Sequence, residues 1–196
     1  MGKIFYLMGK SSSGKDTIFK ALLSDGELSL KQIVPYTTRP IREGEQNGVE
    51  YFFTDEAGVQ AMQEQNRIIE LRVYHTCHGD WKYFTAADDQ INLEKADYLV
   101  IGTPEAFLKV RDYFGKEQVR PVYIELDDGV RLQRALDREK AQDQPKYEEM
   151  CRRYLADAAD FAEDKLEELQ LEVRFRNDDL GTCIEAIKTW IMEQKG

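Results

Sequence analysis

The sequence predicts an α/β protein in which a parallel sheet is wrapped by helices. Short apolar runs, such as residues 4–8 and 98–101, alternate with amphipathic stretches of helical length. This alternation is typical of strands that are buried on both faces between helices. A chain of 196 residues, 42% hydrophobic and 33% charged, fits one globular domain that carries small subdomains.

The first half of the chain begins with a strand followed by a helix and then departs from this alternation. Residues 3–8 predict a strand, and residues 15–24 predict the helix after it, with Ile18, Phe19 and Leu22 on one face. Residues 35–85 hold more strand and less helix, so we expect a small inserted subdomain there. The elements predicted beyond the first helix are strands at 32–34, 51–53, 68–74 and 81–85, a loop at 35–48, a helix at 55–65 and a hairpin turn at 78–80.

The second half returns to regular alternation. Residues 98–101 predict a buried strand, after which Thr103 caps a helix, Pro104 opens it and Gly115 ends it. The remaining predicted elements are a strand at 119–126, a helix at 128–140, a long helix from Pro145 to about residue 169, a strand at 173–175 and a C-terminal amphipathic helix after residues 177–179.

Charge and cysteine content exclude several classes of function. Lys and Arg number 27 and Asp and Glu 37, which gives a net charge of −10 and argues against a nucleic-acid polymer as partner. No apolar run approaches the roughly 18 residues that span a bilayer, so we expect no membrane partner. Three widely spaced cysteines and the lack of a signal-peptide pattern predict a cytoplasmic protein without a disulfide framework.

The strongest motif lies between the first predicted strand and the first predicted helix. It reads Gly9-Lys10-Ser11-Ser12-Ser13-Gly14-Lys15 and matches the phosphate-binding pattern G-x-x-x-x-G-K. In such a loop, backbone N–H groups and the helix N-terminus face phosphate oxygens, and the lysine reaches the β- and γ-phosphates. A Ser or Thr that binds Mg²⁺ normally follows the lysine. Here Asp16 and then Thr17 follow, so one of these two would contact the metal of Mg·ATP.

A second motif lies in the predicted loop and reads Thr37-Thr38-Arg39-Pro40-Ile41-Arg42-Glu43-Gly44-Glu45, with Tyr51 shortly after it. Arg39 and Arg42 are three residues apart in a turn, so both guanidinium groups can reach one anion. The Tyr51 hydroxyl is a further candidate donor to phosphate. Taken alone, the motif also fits two solvated surface arginines.

The two motifs together resemble those of the guanylate kinases, and the resemblance extends over most of the chain. It implies a P-loop kinase fold with a mixed α/β subdomain for a nucleoside monophosphate at about 35–85. It also implies an arginine-bearing helical lid near 134–154, on a core made of 1–34, 86–133 and 155–196. The implied reaction is phosphoryl transfer from Mg·ATP to GMP or dGMP, by positioning and charge stabilisation without a protein nucleophile.

The resemblance also implies roles for individual residues. Those beside ATP are Gly9, Lys10, Ser11, Ser12, Ser13, Gly14, Lys15, Asp16 and Thr17, with Asn177 beside the donor purine. Those beside the acceptor are Arg39, Arg42 and Tyr51 at the phosphate, with Glu70, Thr85 and Thr103 at the base. The residues that clamp the transferring phosphoryl group are Arg134, Arg138 and Arg153, together with Lys15 and Arg39.

Two departures from the family pattern concern the acceptor base. Pro35 stands where the family usually has a serine, and Thr103 stands where it has an aspartate. We therefore expect GMP to be held weakly or through rearranged contacts. Two alternatives remain open at this stage: a kinase of this fold with another acceptor, and a guanylate-kinase-like binding module without strong catalysis.

One cluster of possible metal ligands falls outside these motifs. His75, Cys77 and His78 lie within four residues, but a structural zinc site usually has two separated pairs of ligands. We interpret the cluster as the tip of a hairpin.

Overall fold

The computed structural model describes residues 1–76 and 79–195, which form two sheets and seven helices. The strands are β1 Ile4–Gly9, β2 Lys31–Gln32, β3 Tyr36–Thr37, β4 Phe52–Phe53, β5 Ile68–Thr76, β6 Gly79–Ala86, β7 Tyr98–Ile101, β8 Val119–Glu125 and β9 Arg174–Arg176. The helices are α1 Lys15–Ser24, α2 Glu56–Glu64, α3 Pro104–Phe114, α4 Asp128–Lys140, α5 Tyr147–Asp160, α6 Glu163–Glu168 and α7 Leu180–Lys195.

The main sheet has the strand order β2-β7-β1-β8-β9, and its four strand pairings are parallel. Parallel strands end at the same edge, so the segments that follow β1, β7, β8 and β9 lie side by side. Those segments contain the loop 10–14, Thr103, Asp128 and Asn177. The carboxyl edge of the main sheet is therefore where residues from distant parts of the chain meet.

Helices cover both faces of the main sheet. All six residues of β1 are buried, and successive side chains point to opposite faces. Tyr6 packs with Phe107 of α3 on one side, whereas Phe5 packs edge-to-face with Trp190 of α7 on the other. The predicted α/β class with a parallel core is confirmed.

The second sheet has the order β4-β3-β6-β5 and lies within residues 36–86. Its β5–β6 hairpin is antiparallel, and Glu70 pairs with Thr85 and Arg72 with Tyr83. Helix α2 covers one face through an apolar cluster around Val59 and Phe84. Because strand side chains alternate, the opposite face carries Glu70, Arg72, Tyr83 and Thr85.

Most predicted elements are confirmed within one or two residues, and three predictions are wrong. The hairpin turn predicted at 78–80 does not include Gly79 and Asp80, which belong to β6 and pair with Thr76 and His75. The predicted helix from Pro145 to about residue 169 is two helices, because the chain leaves α5 at Phe161 and starts α6 at Glu163. Phe161 is buried and stacks on Tyr123, so core packing turns the chain there. The predicted loop 35–48 contains the short strand β3, which pairs with β6.

Two further predictions concern the hairpin tip and the membrane. Cys77 and His78 lie outside the described residues, while His75 contacts Asp80 at 2.7 Å between Nδ1 and Oδ1. Within the described ranges, no three residues of the types that bind metals come together as a candidate metal site. None of the helices in those ranges has the length and apolar character needed to cross a bilayer.

Candidate active site

The loop from Gly9 to Lys15 bends sharply between β1 and α1. Ser12 has a φ of 64° and Gly14 a φ of 88°, both in the left-handed region. A side chain at Gly14 would collide with Asn177, because a Cβ there would lie 2.3 Å from the Asn177 amide nitrogen. Gly14 is therefore required both by its backbone conformation and by its close neighbour.

Three polar atoms around this loop are buried without a hydrogen-bond partner in the part of the chain that the structure describes. They are Ser12 Oγ, Ser13 Oγ and Asn177 Oδ1. The Asn177 amide donates to the Ser13 carbonyl oxygen at 2.7 Å, which ties the start of the C-terminal segment to the loop. Unpartnered buried polar atoms are costly, so this cluster indicates a site that a polar ligand completes.

A buried arginine holds the other side of the loop. The Arg131 side chain is only 1% exposed, and its guanidinium donates to Asp128 at 2.8 Å and to the Ser11 carbonyl at 3.0 Å. It also lies 3.4 Å from Asp157 and over the Tyr154 ring. Asp157 in turn accepts the Ser11 backbone N–H at 2.8 Å. Helices α4 and α5 are thereby fastened to the loop.

The structure places the three predicted clamp arginines near the loop. Arg134 lies beside it, with a guanidinium nitrogen 4.0 Å from the position of a Cβ at Gly14. Arg138 and Arg153 line one small cavity with Ser11, and Arg153 also pairs with Glu149 at 3.3 Å. These three side chains are exposed, so their donors are open to a ligand.

Lys10 and Lys15 add positive charge to the loop itself. Lys10 contacts Asp128 at 3.1 Å, and Lys15 lies 3.5 Å from Asp16. Burial raises the pKa of Asp128, but hydrogen bonds from Arg131 and Lys10 outweigh it and lower the pKa overall. Asp16 and Thr17 are both exposed on the first turn of α1.

A second cationic site lies on the open face of the second sheet. Arg39 is 3% exposed, and its two terminal nitrogens contact both oxygens of Glu45 at 2.8 and 3.0 Å. Its guanidinium carbon lies 5.5 Å from the centre of the Tyr51 ring, and Tyr51 packs against Tyr83. Burial disfavours charge on Arg39, but Glu45 outweighs it and raises the pKa. Arg42 is exposed, and its backbone N–H donates to Glu45.

Further along the same face lies a buried carboxylate. The Glu70 side chain is fully buried and accepts the Thr85 hydroxyl at 2.9 Å. Arg72 also binds both oxygens of Glu70, and its third nitrogen lies 3.4 Å from the Thr103 hydroxyl. The three predicted base-side residues, Glu70, Thr85 and Thr103, are thus together, and Arg72 joins them.

The sequence of this chain matches a known protein family. The sequence profile of the guanylate kinases matches residues 1–194. The chain belongs to the guanylate kinase family.

Individual relatives agree with this assignment. A guanylate kinase of Porphyromonas gingivalis is 27% identical over 98% of both chains. Another, of Novosphingobium aromaticivorans, is 41% identical over 80 residues, or 40% of this chain and 35% of that one. The crystal structure of a guanylate kinase from Anaplasma phagocytophilum superposes with a TM-score of 0.65, covering 99% of this chain and 86% of that chain at 21% identity, which shows the fold.

Sequence reasoning missed four residues that the structure places at these candidate sites, namely Arg72, Tyr83, Arg131 and Asp157. Arg72 and Tyr83 follow from strand alternation, because they share a sheet face with Glu70 and Thr85. Arg131 lies one helical turn before Arg134, but no sequence pattern pairs it with Asp157 across 26 residues. The structure also gives Thr85 and Asn177 contacts that were not predicted: the first donates to Glu70, and the second lies against the phosphate loop.

We expect Arg131→Leu to lower the free energy of unfolding by about 3 kcal/mol, because it leaves Asp157 without its buried counter-charge. The double variant Arg131→Leu/Asp157→Asn should recover part of that loss. Urea unfolding measures both, with Arg152→Leu as the control, since the Arg152 pair is exposed and should change stability by less than about 0.5 kcal/mol. Equal losses in the single Arg131 variant and the control would contradict a structural role for the buried pair.

Proposed function

We propose that this protein transfers a phosphoryl group from ATP to GMP or dGMP. The observation that carries the proposal is the presence of two candidate anion-binding sites in a chain of this family. A phosphate-binding loop with clamp arginines lies at the edge of the main sheet, and a second anion site with a buried base-side carboxylate lies on the second sheet. A binding module without catalysis is disfavoured, because the glycines, Lys15 and the clamp arginines are all retained.

The donor nucleotide is assigned to the loop from Gly9 to Lys15. Its backbone N–H groups, the N-terminus of α1 and Lys15 supply the positive potential that a triphosphate needs. Arg134, Arg138 and Arg153 project from α4 and α5 toward the same loop and would stabilise the charge on the transferring group. Phosphoryl transfer of this kind needs no protein nucleophile, so positioning and charge are the protein's whole contribution.

The acceptor is assigned to the open face of the second sheet. Arg39, Arg42, Tyr51 and Tyr83 would bind its phosphate, and Glu70 would accept the two N–H groups on the edge of guanine. Glu45 supports this site by holding the Arg39 guanidinium in place, since Arg39 has both terminal nitrogens on that carboxylate. Preorganised donors of this kind lose little freedom when the ligand arrives.

The division into subdomains follows from these assignments. Residues of about 35–85 form the subdomain for the monophosphate, and the segment of about 134–154 forms the lid. The core then consists of 1–34, 86–133 and 155–196. Movement of the lid and of the second sheet toward the loop would bring the two nucleotides together and exclude water, which limits hydrolysis of ATP.

The donor set at the loop fits Mg²⁺ delivered with ATP. Magnesium usually keeps several waters and takes one or two protein oxygens together with phosphate oxygens. Asp16 and Thr17 are exposed at the first turn of α1 and offer such oxygens. When bound, the metal would neutralise charge on the β- and γ-phosphates.

We expect the purified protein to convert GMP to GDP with ATP, and Lys15→Ala to abolish this turnover. The Lys15 ammonium group forms its ion pair with the exposed Asp16, so the variant should fold normally. A coupled assay with GMP, dGMP, AMP, UMP and CMP as acceptors measures turnover, and circular dichroism checks that the variant folds. Near-normal turnover in Lys15→Ala would remove the kinase assignment.

Arg39→Ala and Arg42→Ala should each weaken GMP binding and leave ATP binding unchanged. Losing one charge-assisted phosphate contact costs about 1.5–3 kcal/mol, which corresponds to roughly a ten- to hundredfold rise in Kd. Arg42→Ala is the cleaner test, because Arg39→Ala also leaves Glu45 unpaired. Calorimetric titration with GMP and with ATP separately measures the affinity for each nucleotide. A weaker ATP affinity with unchanged GMP affinity would reverse the assignment of the two sites.

A further inference from the structure

Arg72 engages both oxygens of the buried Glu70 carboxylate. Its Nε lies 2.9 Å from Oε2, and its Nη2 lies 3.2 Å from Oε1. The Arg72 side chain is 14% exposed and the Glu70 side chain fully buried, so the pair is largely shielded from water. The two residues share one face of β5, at positions i and i+2.

This pairing copies the hydrogen bonds that Glu70 would make to guanine. Guanine offers two adjacent N–H groups, at N1 and at the 2-amino group, to the two oxygens of a carboxylate. A guanidinium fork offers two parallel N–H groups to the same oxygens. Oε1 already accepts a third hydrogen bond from Thr85 at 2.9 Å. While Arg72 is in place, the carboxylate therefore cannot accept both N–H groups of the guanine edge, because its two oxygens do not both keep a free lone pair.

Arg72 also covers the other predicted base-side residue. Its Nη1 lies 3.4 Å from the Thr103 hydroxyl, at the start of α3. Burial lowers the pKa of Arg72, but the nearby Glu70 charge outweighs it and raises the pKa overall, so the guanidinium stays charged. One side chain thus spans the carboxylate and the hydroxyl that a base would contact.

We propose that Arg72 is an internal competitor of the acceptor base and that guanine binds Glu70 only after displacing it. This inference rests on the proposed assignment of Glu70 to guanine. It makes Arg72 a specificity-determining residue of the acceptor site, since only a base that offers an N–H donor to Glu70, as guanine does at N1 and at its 2-amino group, can take the place of the fork.

A neighbouring cavity can take up the displaced guanidinium group. Arg72 also lines a cavity of about 530 Å³ between β5, α3 and α6. Its lining carboxylates are Glu105, which pairs with Lys109, Asp160, which lies 3.9 Å from Lys165, and Glu168, which offers an acceptor for a guanidinium. Moving into this cavity keeps the charge of Arg72 balanced after it leaves Glu70.

The competition lowers the apparent affinity for GMP by the fraction of molecules in which Glu70 is free. With a free state populated at about 1–10%, that reduction is about ten- to a hundredfold. The weak GMP binding expected from Pro35 and Thr103 therefore has a second cause in Arg72, and substitution of Arg72 removes that cause.

The test is calorimetric titration of wild type and Arg72→Gln with GMP, inosine monophosphate and AMP. Glutamine keeps a polar neighbour for Glu70 but cannot form the fork. We expect GMP and inosine monophosphate to bind about ten- to a hundredfold more tightly to the variant, because both carry the N1–H. AMP lacks that donor, so its affinity should not change.

The matched control is Arg120→Gln, at the amino end of β8 and so away from the site. Arg120 is 18% exposed and contacts Glu117 and Glu172, so it is a comparably shielded arginine between carboxylates. Its replacement should leave all three affinities unchanged. If Arg72→Gln does not fold, Arg72→Lys keeps the charge, breaks the fork and should still tighten GMP.

Unchanged or weaker GMP binding in the folded Arg72 variant would overturn the inference, as would equal gains for GMP and AMP. An absence of GMP binding in wild type and variant alike would overturn it too. A gain in GMP binding without any phosphoryl transfer to GMP would leave the competition standing and reject the proposed kinase function. Binding and turnover are therefore measured on the same preparations.

Discussion

The loop from Gly9 to Lys15 is held by side chains from distant segments of the chain, and the candidate site around it depends on these anchors. Asn177 binds the Ser13 carbonyl, and Arg131 with Asp157 binds both the carbonyl and the N–H of Ser11. These anchors come from segments that are distant in sequence. They reach the loop only because parallel strands deliver every following segment to one edge of the sheet.

Carboxylates hold arginines at both candidate sites. At the loop, Arg131 is fixed by Asp128 and Asp157, and on the second sheet Arg39 is fixed by Glu45 and Arg72 by Glu70. Each carboxylate neutralises the arginine that it holds, so none of these three shielded guanidinium groups is a buried unpaired charge. Arg134 and Arg138 are exposed by contrast, which suits their proposed role of contacting a phosphoryl group only when it is present.

Local patterns in the sequence predict much of this structure. The loop at Gly9–Lys15, the cap at Thr103 and the strands around it depend on near neighbours in the chain, so their prediction succeeds. The break at Phe161 and the pairing of β3 with β6 depend on tertiary contacts and are not visible in local periodicity. The position of Glu70, Thr85 and Thr103 was expected from family resemblance. The Arg72 fork between them requires the three-dimensional register of β5 and β6.

We propose that the loop holds the donor phosphates while the second sheet holds the acceptor. A crystal structure with GMP and a non-hydrolysable ATP analogue would show both nucleotides in place. We expect the triphosphate on Gly9–Lys15, the GMP phosphate at Arg39 and Arg42, and the guanine edge on Glu70 with Arg72 displaced. A GMP phosphate bound in the Gly9–Lys15 loop, or a guanine that leaves the Arg72–Glu70 pair intact, would contradict it.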